Sequence, residues 1–152
     1  MLEVRDLHAR YGDSYGLFGL NLKVPHGGGV ALLGRNGAGK STLLKAVMDA
    51  GPSCTGEILL QGRSLAGLAT EARARLGLTL VPEDRRIFTN LTVRQNLELA
   101  HHALSAGRKA VGVDDMGRLF PVLPGLLDRL GYQLSGGRQQ LVAVARRRMA
   151  SA

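Results

Sequence analysis

The fold of this chain is decided by the stretch Gly34-Arg35-Asn36-Gly37-Ala38-Gly39-Lys40-Ser41-Thr42. It fits the phosphate-binding pattern of a glycine, four residues of any type and then Gly-Lys-Ser. The apolar residues 30–33 before it are typical of a buried strand, and residues 43–48 after it are typical of a helix. An ordinary glycine-rich turn is the alternative, but a strand, a glycine loop and a helix in this order predict an anion site.

The residue types within the stretch explain how it would bind phosphate. Glycines let the main chain come close to a ligand and adopt conformations that other residues avoid. A helix that begins near Lys40 directs its N–H groups and the positive end of its dipole at the ligand. The Lys40 ammonium can reach the β- and γ-phosphates, and the Ser41 hydroxyl can ligate Mg²⁺. The stretch therefore predicts ATP and Mg²⁺, bound by Gly34, Asn36, Gly37, Ala38, Gly39, Lys40, Ser41 and Thr42.

Composition limits the class of protein. The 152 residues are 45% apolar, enough for one domain with a core, and the single cysteine, Cys54, excludes an intrachain disulfide. The net charge of +8 allows nucleic acid, an anionic membrane surface or polyphosphate as partner. Apart from residues 146–148 the basic residues are scattered, and aromatic residues make up only 4%. We therefore expect no nucleic-acid binding.

The N-terminal residues and the hydropathy pattern indicate where the chain works. Charged residues interrupt the first six positions, so no signal peptide is expected. The apolar runs are too short to span a bilayer. We expect a cytoplasmic chain that reaches the membrane only through a partner.

The remaining pattern predicts alternating strands and helices. Strands are expected at residues 2–11, 20–24, 30–33, 57–60 and 78–81, and a turn at residues 25–29. Helices are expected at residues 43–48, 70–76, 92–103, 115–123 and 138–149, and a loop at residues 105–114. Thr92 and Gln95 have the spacing of a capping box at the start of the third helix.

A second glycine turn, Leu134-Ser135-Gly136-Gly137-Arg138-Gln139-Gln140, also opens a helix. By itself it indicates a serine-capped helix N-terminus. Together with residues 34–42 it resembles the nucleotide-binding domain of an ABC transporter, in which a Leu-Ser-Gly-Gly signature follows the phosphate loop. The resemblance runs from Leu2 to Ala150.

The resemblance implies a fold and a division of the chain. It implies an α/β, P-loop NTPase-type ABC nucleotide-binding domain with an antiparallel β subdomain and a helical subdomain. Residues 1–90 would form the β subdomain and the phosphate-loop core, residues 91–137 the helical subdomain, and residues 138–152 the signature helix.

The resemblance also implies a dimer with two ATP molecules between head-to-tail copies. Ser135, Gly136 and Gly137 would bind the γ-phosphate of the partner's ATP, since their helix supplies a second positive dipole end. Tyr11 stands where the family places an aromatic ring against adenine. A core residue at the end of a strand is the alternative for Tyr11.

Three segments resemble the branched-chain amino-acid transport branch of this family. They are residues 81–88 (Val-Pro-Glu-Asp-Arg-Arg-Ile-Phe), residues 90–97 and Leu119-Phe120-Pro121. Glu83 stands where most ABC domains have a glutamine that touches Mg²⁺ and the transmembrane partner. The resemblance therefore implies Ser41 and Glu83 as Mg²⁺ ligands, with Lys40 and Glu83 assisting catalysis. Asp84 replaces the usual glycine, and Arg138 replaces a usual glutamate and opposes its helix dipole.

One part of the family pattern is missing from the sequence. In the family, the signature helix leads to an apolar strand ending in Asp-Glu and then to a switch histidine. Here no acidic residue follows Asp128, and no histidine follows His102. We therefore expect a C-terminally truncated domain that lacks the main catalytic acid and hydrolyses ATP negligibly by itself.

The expected function is the ATP-binding subunit of an importer, and the resemblance implies the branched-chain amino-acid type. Its partners would be transmembrane permease subunits and a second ATP-binding subunit, at the inner face of the cell membrane. Two alternatives remain: an amide or urea importer, or a non-catalytic module that binds nucleotide or a protein partner.

Overall fold

The computed structural model describes residues 1–82, 87–102 and 112–150. The chain divides into two compact units, Met1–Leu76 and Gly77–Ala152. The expected α/β class, with an antiparallel sheet and a helical part, is confirmed.

The first unit is built on a four-stranded antiparallel sheet with the strand order β2-β1-β3-β4. Its strands are β1 (Leu2–Tyr11), β2 (Ser14–Val24), β3 (Ser53–Leu60) and β4 (Arg63–Ser64). Helix α1 (Lys40–Val47) lies between β2 and β3 in the chain, and helix α2 (Thr70–Arg75) follows β4. The buried side chains include Val4, Leu7 and Ala9 of β1, Leu17 of β2, and Leu43, Ala46 and Val47 of α1.

A β-bulge bends the central strand β1. The pairing with β2 shifts between Val4 and Leu7, and Asp6 has a φ of 44°. Opposite the bulge, Gly56 has a φ of 102°, and a Cβ there would collide with the carbonyl oxygen of Asp6. Only glycine fits this position, because a side chain would be excluded by both the conformation and the space.

The second unit is helical. It contains α3 (Val93–His102), α4 (Val113–Leu119) and α5 (Gly136–Ala150), with short 3₁₀ turns at Pro124–Leu126 and Gly131–Gln133. Helices α3 and α5 pack together. They share one apolar core, made of Val93, Leu97, Met116, Leu123, Leu126, Leu134, Val142, Ala145 and Met149.

Most predicted elements are confirmed. β1, α1, α2, α3 and α5 lie where the pattern placed them, and β2 and β3 are longer than predicted. The capping box is present, since the Thr92 N–H donates to Gln95 Oε1 (2.9 Å) and the Gln95 N–H donates to Thr92 Oγ1 (3.1 Å). Helix α4 starts earlier than predicted and ends before Pro121, which cannot continue a helix.

Two predicted strands are wrong. Residues 30–33 and 78–81 are irregular, although their composition is that of buried strands. A strand is stabilised by hydrogen bonds to a neighbour, and the sheet formed by the described residues contains only β1 to β4. Leu33 is accordingly 91% exposed. The predicted loop at 105–114 lies largely outside the described residues, but Val113 and Asp114 are helical.

Candidate phosphate-binding site

The glycines of residues 34–42 adopt conformations that favour glycine. Gly34, Gly37 and Gly39 have φ values of 155°, 84° and 85°. A Cβ on Gly37 would meet nothing within 4 Å, so the conformation alone selects glycine there. At Gly39 space is also short, since a Cβ would lie 2.6 Å from Leu17 Cδ2 and 2.8 Å from the Gly16 carbonyl oxygen.

The Lys40 side chain spans the loop. Its ammonium donates to the carbonyl oxygens of Gly34 and Arg35, each at 2.8 Å. The Ala38 N–H donates to the Arg35 carbonyl (3.1 Å) and closes a turn within the loop. Lys40 therefore ties the start of the loop to the first residue of α1, and a positive charge is held where the loop meets the helix.

Helix α1 begins directly at this loop. Gly39 is its N-cap, and the Leu43 N–H donates to the Gly39 carbonyl oxygen (2.9 Å). The N–H groups of residues 40–42 lie before this first helical hydrogen bond, so they have no acceptor within the helix. N–H groups at this end of a helix point outward along the axis and can bind an anion. No acidic residue occupies the first turn of α1. The electrostatics at this helix end therefore favour a negatively charged ligand.

The residues present fit a nucleotide phosphate chain. Residues 34–38 are exposed, so their main-chain N–H groups are accessible to a ligand. Ser41 is exposed, so its hydroxyl is available to Mg²⁺. Mg²⁺, when bound, would neutralise phosphate charge. Glu83, the other expected ligand, lies outside the described residues.

Strand β2 supports the loop from one side. Leu17 is buried against Gly39, and a Cβ on Gly16 would lie 3.1 Å from Thr42 Cγ2. The sequence pattern gave no sign of this support, because Gly16 and Leu17 are far from the loop along the chain. The packing fixes Gly39 and Thr42 against a strand of the sheet.

Tyr11 ends β1 and pairs with Ser14 across the hairpin. Its side chain is 44% exposed, which argues against the core alternative. A Cβ on Gly51 would lie 3.6 Å from its ring. Tyr15 and Phe18 of β2 form an exposed stacked pair with ring centroids 4.9 Å apart, which the sequence analysis did not single out.

The second glycine turn opens α5 in the other unit. The Gln139 N–H donates to the Ser135 carbonyl (2.9 Å), and its side-chain amide donates to the Gly131 carbonyl (3.0 Å). Ser135 and Gly137 are exposed, and a Cβ on Gly137 would meet nothing within 4 Å. The N-terminus of α5, with Ser135, Gly136 and Gly137, is therefore accessible to a ligand.

Sequence reasoning missed a buried asparagine in the second unit. Asn96 accepts a hydrogen bond from the Phe88 N–H (2.8 Å) and donates to the carbonyls of Phe88 (2.9 Å) and Thr92 (3.0 Å). The Arg146 guanidinium lies 5.4 Å from the Phe88 ring centroid, and burial lowers the pKa of Arg146. These contacts hold the segment that follows residues 83–86. The sequence alone does not indicate that an asparagine one turn into a helix is buried and hydrogen-bonded in this way.

Sequence reasoning also missed Arg73 of α2. Its buried guanidinium donates to main-chain carbonyls at the end of α1. Arginine on a short helix is usually solvent-exposed, so no local signal distinguished it.

Two negative findings apply to residues 1–82, 87–102 and 112–150. Their helices do not combine the length and apolar character needed to cross a bilayer. They also contain no group of three His, Cys, Asp or Glu side chains placed to hold a metal ion.

Comparison with known proteins supports the resemblance. The family model described as ABC transporter matches residues 17–152. The chain is 34% identical to the high-affinity branched-chain amino acid transport ATP-binding protein BraG of Pseudomonas aeruginosa, over 96% of this chain and 63% of BraG. It is 32% identical to the probable branched-chain amino acid transport ATP-binding protein LivF of Archaeoglobus fulgidus, over 95% of this chain and 61% of LivF.

Relatives named for other solutes have similar sequence identity to this chain. The thiamine import ATP-binding protein ThiQ of Vibrio cholerae is 38% identical over 90% of this chain and 57% of ThiQ. Among solved structures, the dimeric structure of MJ0796, a bacterial ABC transporter cassette, has a TM-score of 0.80 at 23% identity. That match covers 99% of this chain and 70% of that one, and shows the fold. The chain thus spans about three fifths of the curated relatives BraG and LivF.

Proposed function

The chain belongs to the ABC transporter family, and we propose that it binds Mg-ATP as part of an importer's ATP-binding subunit. The observation that carries this proposal is the geometry of residues 34–42. Glycines with positive φ open the main chain, and the Lys40 ammonium is held 2.8 Å from two loop carbonyls at the start of α1. This arrangement offers N–H donors, a helix dipole and one cation to the same ligand.

Each part of the site has a proposed task. Main-chain N–H groups of residues 34–42 would bind the phosphates, with Lys40 at the terminal phosphates and Ser41, with Glu83, at Mg²⁺. Tyr11 would stack on adenine, which its partial exposure allows. Lys40 and Glu83 would assist catalysis.

Ser135, Gly136 and Gly137 would bind the γ-phosphate of ATP held by a second ATP-binding subunit. Their support is the accessible N-terminus of α5, where Gly137 leaves space for a ligand. ATP shared in this way would shift two copies toward a closed dimer, and hydrolysis would reopen it. Permease subunits would convert the motion into transport and hold the chain at the membrane.

Branched-chain amino acids are the solutes we propose. The resemblance of residues 81–88 and 90–97 to that branch supports them, together with the similarity to BraG and LivF. Overall sequence identity does not distinguish between solutes, because ThiQ is as similar in sequence to this chain as BraG and LivF are. Deleting the gene should lower uptake of labelled leucine and spare thiamine uptake. Loss of thiamine, amide or urea uptake alone would contradict this assignment.

For the 152-residue chain itself we propose binding with negligible turnover. Orienting the attacking water needs a polar group, and no acidic residue follows Asp128 in this sequence. A non-catalytic nucleotide-binding module, the alternative function, would also bind ATP with negligible turnover. Phosphate release at the rate of an intact transporter ATPase would contradict it.

Calorimetry with Mg-ATP tests the binding site. Lys40→Ala removes charge-assisted bonds worth about 1.5–3 kcal/mol, so its Mg-ATP affinity should fall about 10- to 150-fold. Lys45→Ala is the matched control, since it removes the same charge from an exposed position on the same helix. The proposal fails if the folded wild-type chain gives no binding heat, or if Lys40→Ala binds as tightly as Lys45→Ala.

A further inference from the structure

A buried arginine lies at the end of α1 that is opposite the phosphate loop. Arg73 of α2 is 6% exposed. Its Nη1 donates to the carbonyl oxygens of Ala46 (3.0 Å) and Val47 (2.9 Å), which end α1. Its Nε donates to the Leu68 carbonyl (2.7 Å) and its Nη2 to the Leu65 carbonyl (3.1 Å). One side chain thus joins α1 to the segment between β4 and α2.

The chemistry of this contact suits the end of a helix. The last carbonyls of a helix have no intrahelical donor and carry the negative end of its dipole. A buried guanidinium is costly unless its N–H groups are bonded, and here four carbonyls accept from it. The guanidinium is thus bonded through all three of its nitrogens while it contacts Val47 and joins the Asp49 N–H (3.1 Å) at the Ala46 carbonyl, so the contact ties the C-terminal end of α1 to α2.

The length of α1 connects this contact to the ligand site. The helix has eight residues, and at 1.5 Å per residue its ends are about 12 Å apart. It is too short to be stable by its own hydrogen bonds, so tertiary contacts determine its position. A shift at Val47 would be transmitted to the N–H groups of residues 40–42 and to Lys40.

We propose that Arg73 is a positioning residue for nucleotide binding, acting through α1 on the loop at residues 34–42. The proposal rests on the proposed function, because it assumes that this loop binds ATP. A role in stability alone would lower the melting temperature of an Arg73 variant and leave the affinity of its folded form unchanged. A positioning role changes the affinity of the folded form as well.

The test compares Mg-ATP affinity of the full 152-residue chain by calorimetry, at a temperature where each variant is fully folded. Arg73→Met should raise the Kd about tenfold. Arg73→Lys keeps the charge but reaches fewer carbonyls, so its Kd should lie between those of wild type and Arg73→Met. Leu97→Ala, which destabilises the other unit's core, is the control and should keep the wild-type Kd at chain concentrations where the protein is monomeric and only its own loop binds ATP.

A spectroscopic measurement separates the two proposals. In the nucleotide-free chain, Arg73→Met should shift the amide resonances of Gly37, Gly39 and Lys40, and Leu97→Ala should not. If the wild-type chain binds no ATP, the proposed function fails, and these resonances alone decide whether Arg73 positions the loop.

Three results would overturn the positioning role. These are a wild-type Kd in folded Arg73→Met, unshifted loop amides, or an equal Kd rise in Leu97→Ala. If Arg73→Met does not fold, Arg73→Lys is measured instead. A Kd and loop amide resonances that are identical to those of wild type in Arg73→Lys would then contradict the positioning role.

Discussion

The molecule contains two glycine turns that each open a helix, and they are built differently. The turn at residues 34–39 is shaped mainly by its own main chain, with positive φ at its glycines and the Lys40 ammonium bonded across it, and its last glycine also packs against Leu17 of β2. The turn at residues 134–137 depends on its neighbours, because Leu134 is buried in the core and Gln139 bonds to Gly131. An accessible helix N-terminus can thus be produced by local conformation or by packing.

This difference predicts different sensitivities. A single added methyl group can damage the first turn, since its conformation and its contact with β2 select glycine. The second turn should tolerate the same change and should instead respond to loss of the core beneath α5. Three experiments test this comparison.

The largest expected effect is that of Leu97→Ala on the core shared by α3 and α5. Leu97 is fully buried, so truncation should lower the free energy of unfolding of the second unit by about 2–5 kcal/mol. Denaturant unfolding measures the change. Leu99→Ala, on the same helix but 39% exposed, should cost much less. Equal losses for the two variants would show that this core does not hold the second turn.

The next effect is that of Gly39→Ala on nucleotide affinity. Alanine would be strained at a φ of 85° and would lie 2.6 Å from Leu17 Cδ2, so Mg-ATP affinity should fall about 30- to 100-fold, or roughly 2–3 kcal/mol. Titration calorimetry of the folded variant gives the change.

Gly137→Ala is the matched control for this substitution. Its Cβ meets nothing within 4 Å and it lies within α5, where alanine is favoured over glycine by about 0.5–1 kcal/mol. At chain concentrations where the protein is monomeric, it should bind Mg-ATP at its own loop normally, and it should unfold no earlier than wild type. If Gly137→Ala weakened that binding as much as Gly39→Ala, the contrast between the two turns would be wrong.

The smallest effect is expected for Thr92→Val at the start of α3. The variant loses the hydroxyl that accepts from the Gln95 N–H, and such caps contribute about 1 kcal/mol. Denaturant unfolding should show this loss without a change in Mg-ATP affinity. Thr89→Val, at an exposed threonine just before the helix, is the control. A loss as large as that of Leu97→Ala would mean that capping, rather than the core, dominates the second unit.

The sequence by itself determined the features that depend on neighbouring residues. The glycine conformations of residues 34–39, the start of α1 and the Thr92–Gln95 capping box are all set within a few positions of the chain. Steric limits on φ and short-range hydrogen bonds operate at this distance, so the residue types were enough to predict them.

Only the tertiary structure decided the features that need a partner far along the chain. Residues 30–33 and 78–81 have the composition of strands, but the sheet of the described residues gives them no neighbour. Arg73 bonds to carbonyls more than twenty positions away at the end of α1, and Leu17 packs on Gly39. Hydrogen-bond partners and packing contacts of this kind are created by the folded chain, and nothing in the adjacent residues specifies them.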